Sequence, residues 1–148
     1  MTYLWKLIHH CTWANEVWIR FIRDNCPDDE YLLKRMSHVL LGEQAWFQRM
    51  SGEEPDRDIW RVMTIPEPWV VLDRHRSFYH DVLSGSVDRV IAFKRFTGEE
   101  YQSSVSDILL HLCLHGTHRR GQMATYVSSK GMKPIDADFV QFCIVNRL

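Results

Sequence analysis

Three histidines recur at helical spacing in the stretch His111-Leu-Cys-Leu-His115-Gly-Thr-His118-Arg119-Arg120-Gly121-Gln122. Imidazole is the commonest protein ligand for late first-row metals, and histidines three or four residues apart on a helix stand one above the other, within reach of a single ion. A further ligand has to come from another element, and His38 in Met36-Ser37-His38-Val39-Leu40 is the best candidate. Arg119 opposes this chemistry, because a permanent cation is a poor neighbour for a divalent ion. At about 100° per residue, His111, His115, His118 and Gln122 share one narrow face beside the apolar stripe of their helix. Such a face suits a metal-lined groove, and it suits an ordinary solvated boundary equally well.

The elements that must position these residues are helical. Leu4, Leu7, Ile8, Cys11, Ala14, Trp18, Phe21 and Ile22 recur at the helical period, which predicts a first helix over residues 3–24. Pro27-Asp28-Asp29 ends it and opens a second, marked by Leu32, Leu33, Met36, Val39, Leu40, Trp46, Phe47 and Met50 and stopped at Ser51-Gly52. Residues 53–68 carry three prolines and read as a long connection. A third helix is expected over 69–83. A short hairpin follows, with Val90–Lys94 as its first strand, a turn at Thr97-Gly98 and a return through Glu99-Glu100-Tyr101. Ser103 or Ser104 then caps a fourth helix that Lys130-Gly131 terminates, with a core stripe of Val105, Leu109, Leu112, Gly116, Met123 and Val127. The tail holds Phe139, Phe142 and Ile144, enough for a short packed helix. The expected fold class is all-α: a four-helix bundle with a long connection between helices two and three, a scaffold that commonly builds metal sites from facing helices.

Placed on these helices, His38 lies off the main apolar stripe, on the side of Tyr31, Gly42 and Ala45, where small residues leave room for an imidazole and something bound to it. Glu43 falls inside the apolar stripe of helix two and needs a partner, for which Arg119, at the border of the core stripe of helix four, is the obvious choice. His9 and His10 are adjacent and face different ways, and His75 and His80 sit among Arg74, Arg76 and Asp81 on what reads as a solvated face, so all four are set aside. Cys11 and Cys113 fall on apolar faces, where cysteine acts as a small hydrophobe.

The chain has 148 residues, 45% hydrophobic and 25% charged, which suits one soluble domain with a real core. A formal net charge of −1, with no window rich in Lys and Arg, gives no field to hold a polyanion, so nucleic acid is not expected as a partner. No apolar run reaches the roughly 18 residues of a membrane span, no signal-peptide pattern opens the chain, and the four cysteines are scattered without a Cys-x-x-Cys pair. A cytoplasmic protein with free thiols and no membrane partner is expected. Six tryptophans and six methionines suffice to line a pocket with aromatic and pliable walls. There is no phosphate loop, no Gly-x-Ser-x-Gly elbow and no His-Glu-x-x-His.

Taken together, Trp13-Ala14-Asn15, His38 followed by Glu43 and Trp46, Gly98 in a turn before helix four, and His115-Gly-Thr-His118-Arg119-Arg120-Gly121-Gln122 resemble the DinB/YfiT-like family over nearly the whole chain. The resemblance implies an up-down-down-up four-helix bundle, usually a homodimer, with a three-histidine site for a divalent metal such as nickel or zinc. It also implies thiol-transfer chemistry, in which the metal acidifies a low-molecular-weight thiol and delivers the thiolate to an electrophilic small molecule. Carried over by position, His38 matches the ligand of helix two and His115 the first ligand of helix four. The second falls at position 119, where this chain has Arg119.

Three readings follow. The first is a metal-binding DinB-like protein, a candidate metal-dependent thiol transferase with an altered site: His38 and His115 are ligands, His118 (or His111, one turn earlier) is the third, and aromatics such as Trp13 line the pocket. The second is a non-catalytic dimeric bundle in which Arg119 pairs with Glu43 and holds no ion. The third is an anion-binding pocket built on Arg119.

Overall fold

The computed structural model describes residues 3–147. It is mostly helical, with helices α1 (Tyr3–Asn25), α2 (Glu30–Met50), α3 (Glu67–Ser84), α4 (Val105–Ser129) and the short α5 (Phe139–Asn146). Strands β1 (Val90–Lys94) and β2 (Glu100–Ser104) form an antiparallel hairpin in the register Val90 to Ser104 and Lys94 to Glu100. No helix among the described residues is long and apolar enough to cross a membrane.

Local chemistry sets the boundaries. The Asp29 side chain caps α2 by accepting from the Leu32 backbone N–H at 3.0 Å, and Ser104 caps α4 by accepting from that of Asp107 at 3.1 Å. Gly131, at φ +76°, takes the left-handed position after α4, and Met132 N–H closes back on the Val127 carbonyl at 3.2 Å. Gly98, at φ +97°, turns the hairpin. Helix α3 starts at Glu67 rather than Trp69, because a proline in the first turn gives up an N–H that has no helical partner anyway.

Helix α1 packs on α3 and α4, and α2 on the same two helices. The core divides along the helix axes. One apolar cluster gathers Trp18 and Ile22 of α1, Met36 and Leu40 of α2, Val71 and Leu72 of α3, and Met123 and Val127 of α4. The other gathers Ile8 and Cys11, Phe47 and Met50, Tyr79, and Leu109 and Leu112. Between the two clusters, on all four long helices, lie Asn15, Glu43, His75 and Arg120, each at most 5% exposed. This polar layer ties the helices together: Asn15 Nδ2 donates to Glu43 Oε1 at 3.0 Å, His75 Nδ1 to Glu43 Oε2 at 2.8 Å, and an Arg120 guanidinium nitrogen to Asn15 Oδ1 at 2.6 Å.

Two expectations are corrected here. Glu43 is held by Asn15 and His75, not by Arg119. It is Arg120, four residues after Gly116 in the core stripe, that turns inward, while Arg119, four after His115, follows the histidine face. His75 is not on a solvated face: it is 3% exposed and sits edge-on to Phe47, with ring centroids 4.8 Å apart. Its polar sequence neighbours point the other way, with His80 and Asp81 at the surface.

Candidate functional site

His38 and His115 meet across α2 and α4 with ring centroids 5.1 Å apart in an edge-to-face arrangement. Gly42 lies against His115, and a Cβ there would meet His115 Cε1 at 3.6 Å, an ordinary van der Waals contact, so only side chains larger than alanine would crowd the pair. The connection from residue 51 to 66 closes over the pair from one side. It is pinned where Met63 N–H donates to the Ser37 hydroxyl at 2.8 Å, with Met63 fully buried. His38 Nδ1 lies 3.0 Å from the Ile59 carbonyl, and the Trp60 ring stacks flat on the His38 imidazole, with centroids 3.5 Å apart. A carbonyl can only accept, so Nδ1 carries the proton and Nε2 keeps its lone pair.

Arg119 completes the corner. Its Nε donates to His115 Nε2 at 3.3 Å, one terminal nitrogen reaches Gln122 Oε1 at 3.2 Å, and the guanidinium lies 5.5 Å from the centre of the Trp60 ring. Arg35 flanks the same indole at 5.9 Å, and its Nε is buried without a hydrogen-bond partner among the described residues. Burial, followed by the charges of His38 and Arg119, lowers His115 to a pKa of about 4. Burial also lowers His38, partly offset by the Ile59 carbonyl, with Arg119 and Arg35 pushing the same way as burial. Both imidazoles are therefore neutral at pH 7 beside two cations that stay charged.

The two histidines open on a cavity of about 540 Å³ between α2, α4 and the hairpin. Trp46, Phe93, Phe96, Ile59 and Ile108 form its apolar walls, and Arg49, Arg95, Thr97, Ser103, Asp107 and His111 bring the other charged or polar groups. Its size is ordinary for a small-molecule site.

The structure thus brings His38, His115 and Arg119 together, with Arg119 bonded to His115 and, like Trp60 and Arg35, not among the residues that line the cavity. His118 lies elsewhere: it is exposed and paired with Gln122 at 3.2 Å, outside the cavity lining. His111 does line the cavity, its ring 6.0 Å from that of His115 and 5.8 Å from Trp46. Trp13 does not reach the site. It lines a different cavity, between α1, α3 and α5, and packs on Phe142 at 5.6 Å. Among the described residues, no group of three His, Cys, Asp or Glu side chains is arranged to hold an ion.

Trp60, Arg35, Arg49 and the Ile59 carbonyl escaped the sequence reading. A tryptophan in a proline-bounded polar connection was the available signal for Trp60. The arginines carry no periodic signal, because their relevance comes from neighbours brought in by other elements.

No curated protein matches the chain. The family model described as the DinB family matches residues 2–145, nearly the whole sequence. With the His38–His115 pair facing across α2 and α4, and Arg119 following on the same helix, this chain belongs to the DinB family.

Proposed function

We propose that this protein is a DinB-family small-molecule receptor in which Arg119 turns the family's metal position into a pocket for a small organic anion. One observation carries the reading: at the position where the resemblance expects a third ligand, a guanidinium donates into His115 Nε2, the lone pair an ion would need. A ligating imidazole has to offer that nitrogen at about 2.0–2.1 Å from zinc. Arg119 instead occupies it and adds repulsion. With His118 outside the cavity, the side chains present do not fit a His38–His115–His118 triad, and the thiol transfer that depends on a nickel or zinc centre is not proposed for this chain.

The corner suits an anion for three reasons. Neither Arg119 nor Arg35 is ion-paired among the described residues, so charge is available. Half-burial raises the worth of a charge-assisted hydrogen bond over one made in open water. The His38 Nε2 lone pair can accept from a hydroxyl of the same ligand, and Trp60, stacked on the imidazole, holds that ring in place. The order in which the long helices pass the two core clusters supports an up-down-down-up bundle, with α1 and α4 running one way and α2 and α3 the other. The homodimer and the cytoplasmic location expected from the sequence belong to this proposal, and light scattering reads the first directly.

Isothermal titration with benzoate, a flat monoanion, tests the pocket. Wild-type protein binds it, and Arg119→Gln weakens binding by about tenfold or more, the usual scale for losing a charged hydrogen-bond partner. Unchanged affinity in a folded Arg119→Gln variant overturns the assignment.

A further inference from the structure

Two buried thiols take no part in the site described above. Cys11 on α1 and Cys113 on α4 are 1% and 5% exposed, and their side chains are hydrogen-bonded to each other across the helix interface. The sequence reads both as small hydrophobes, but their surroundings are partly polar. Cys11 Sγ lies 3.8 Å from Glu43 Oε1, toward which its own proton points, and 3.8 Å from Arg120 Nη1, which donates to it. Gly116, about one turn after Cys113, makes room for this arrangement: a Cβ there would come within 3.3 Å of Cys11 Sγ and 2.8 Å of Arg120 Nη1. Arg120 also lines a cavity of about 310 Å³ between α1, α4 and the segment before α5, together with His10 and Thr117. A molecule as small as hydrogen peroxide seated there is one side chain away from Cys11.

The two sulfurs are not equivalent. The hydrogen bond from Cys113 lowers the Cys11 pKa, and Arg120 acts the same way against burial. That same bond raises the pKa of Cys113, and burial adds to the rise. The thiolate is the reactive form, which makes Cys11 the attacking sulfur and Cys113 its resolving partner. We infer that Cys11 and Cys113 are a redox-active pair, which a hydroperoxide oxidises to a disulfide joining α1 to α4. The Cys11 sulfur attacks one peroxide oxygen and the O–O bond breaks. The other oxygen leaves with the Cys11 proton, as an alcohol or, from hydrogen peroxide, as water. The Cys113 sulfur then attacks the sulfenic acid at Cys11: the S–S bond forms, the S–O bond breaks, and hydroxide departs with the Cys113 proton as a water molecule. The two thiols give up two electrons, and the peroxide is reduced by the same two. The link ties α1 to the helix that carries His115 and Arg119.

Hydrogen peroxide added to the folded, reduced wild-type protein, followed by thiol alkylation and peptide mass mapping without reductant, tests this. The expected product is a peptide pair linked through Cys11 and Cys113, separated again by dithiothreitol. In Cys113→Ser the reaction should halt at Cys11 sulfenic acid, which dimedone traps, and in Cys11→Ser no such adduct should form at Cys113. Cys26 and Cys143, both half-buried, serve as internal controls. Cys11 and Cys113 that stay reduced in the folded protein, whether or not Cys26 and Cys143 react, overturn the inference, and so does a link that forms only after denaturant is added. A dimedone adduct on Cys113 in place of Cys11 overturns the assignment of the attacking sulfur. The wild-type map decides the main question even if a serine variant does not fold.

Discussion

At the scale of single residues, His115 has the clearest electrostatic consequence. Its pKa of about 4 in the folded protein lies below the ordinary histidine value of 6.5, so between those two values the unfolded chain binds a proton that the folded one does not. Stability is therefore complete above about pH 6.5 and falls as the pH drops toward 4. His38, lowered by burial, acts in the same direction. Thermal melts in that window should show the melting temperature declining with pH, and an Arg119→Gln variant, which removes one cause of the depression, should decline less steeply. A flat profile in wild-type protein contradicts this account of the site. The facing of His38 and His115 was legible mainly through the family resemblance, which matched both positions to ligands, while spacing alone placed His38 only on the side of Gly42 and Ala45. The partner of Glu43 was not, since neighbouring residues are 100° apart and a small error in the stripe exchanges Arg119 for Arg120.

At the scale of elements, the polar layer fixes how the helices meet. Glu43 on α2 receives hydrogen bonds from Asn15 on α1 and His75 on α3, so replacing it with alanine leaves two donors buried without an acceptor. Breaking one side of a buried charged cluster costs about 3–5 kcal/mol, and in a domain of this size that lowers the melting temperature by roughly ten degrees. Calorimetry of Glu43→Ala checks this. A loss under about 1 kcal/mol would mean that the layer is incidental to stability. The periodicity of apolar residues was enough to place all four long helices and the hairpin, because each buries a continuous stripe or is bounded by turn residues. It could not show that His75 faces inward, since α3 is amphipathic only in part and its inward polar residue looks like its outward ones. Nor could it show that the connection from 51 to 66 covers His38, because that contact is made through the Ile59 carbonyl and one aromatic ring, without any repeat.

For the whole molecule, a formal net charge of −1 conceals an uneven distribution, with Arg35, Arg49, Arg95 and Arg119 clustered around one side of α2 and α4 without carboxylate partners among the described residues. The fold supplies two facing histidines, and on the function proposed above the residue at position 119 sets what they receive. Replacing that one side chain should exchange the two chemistries. In Arg119→His, positions 115 and 119 form a helical i, i+4 pair facing His38, the geometry that one ion can bridge. The measurement that tests this most directly is the affinity of wild-type protein and Arg119→His for nickel and for benzoate, taken on the same preparations. The variant should bind nickel more tightly than wild type by well over about tenfold, or 1.4 kcal/mol, and should bind benzoate more weakly. Wild-type protein that holds nickel as tightly as the variant, or a variant that keeps the wild-type affinity for benzoate, would contradict the claim that Arg119 sets what this pocket binds.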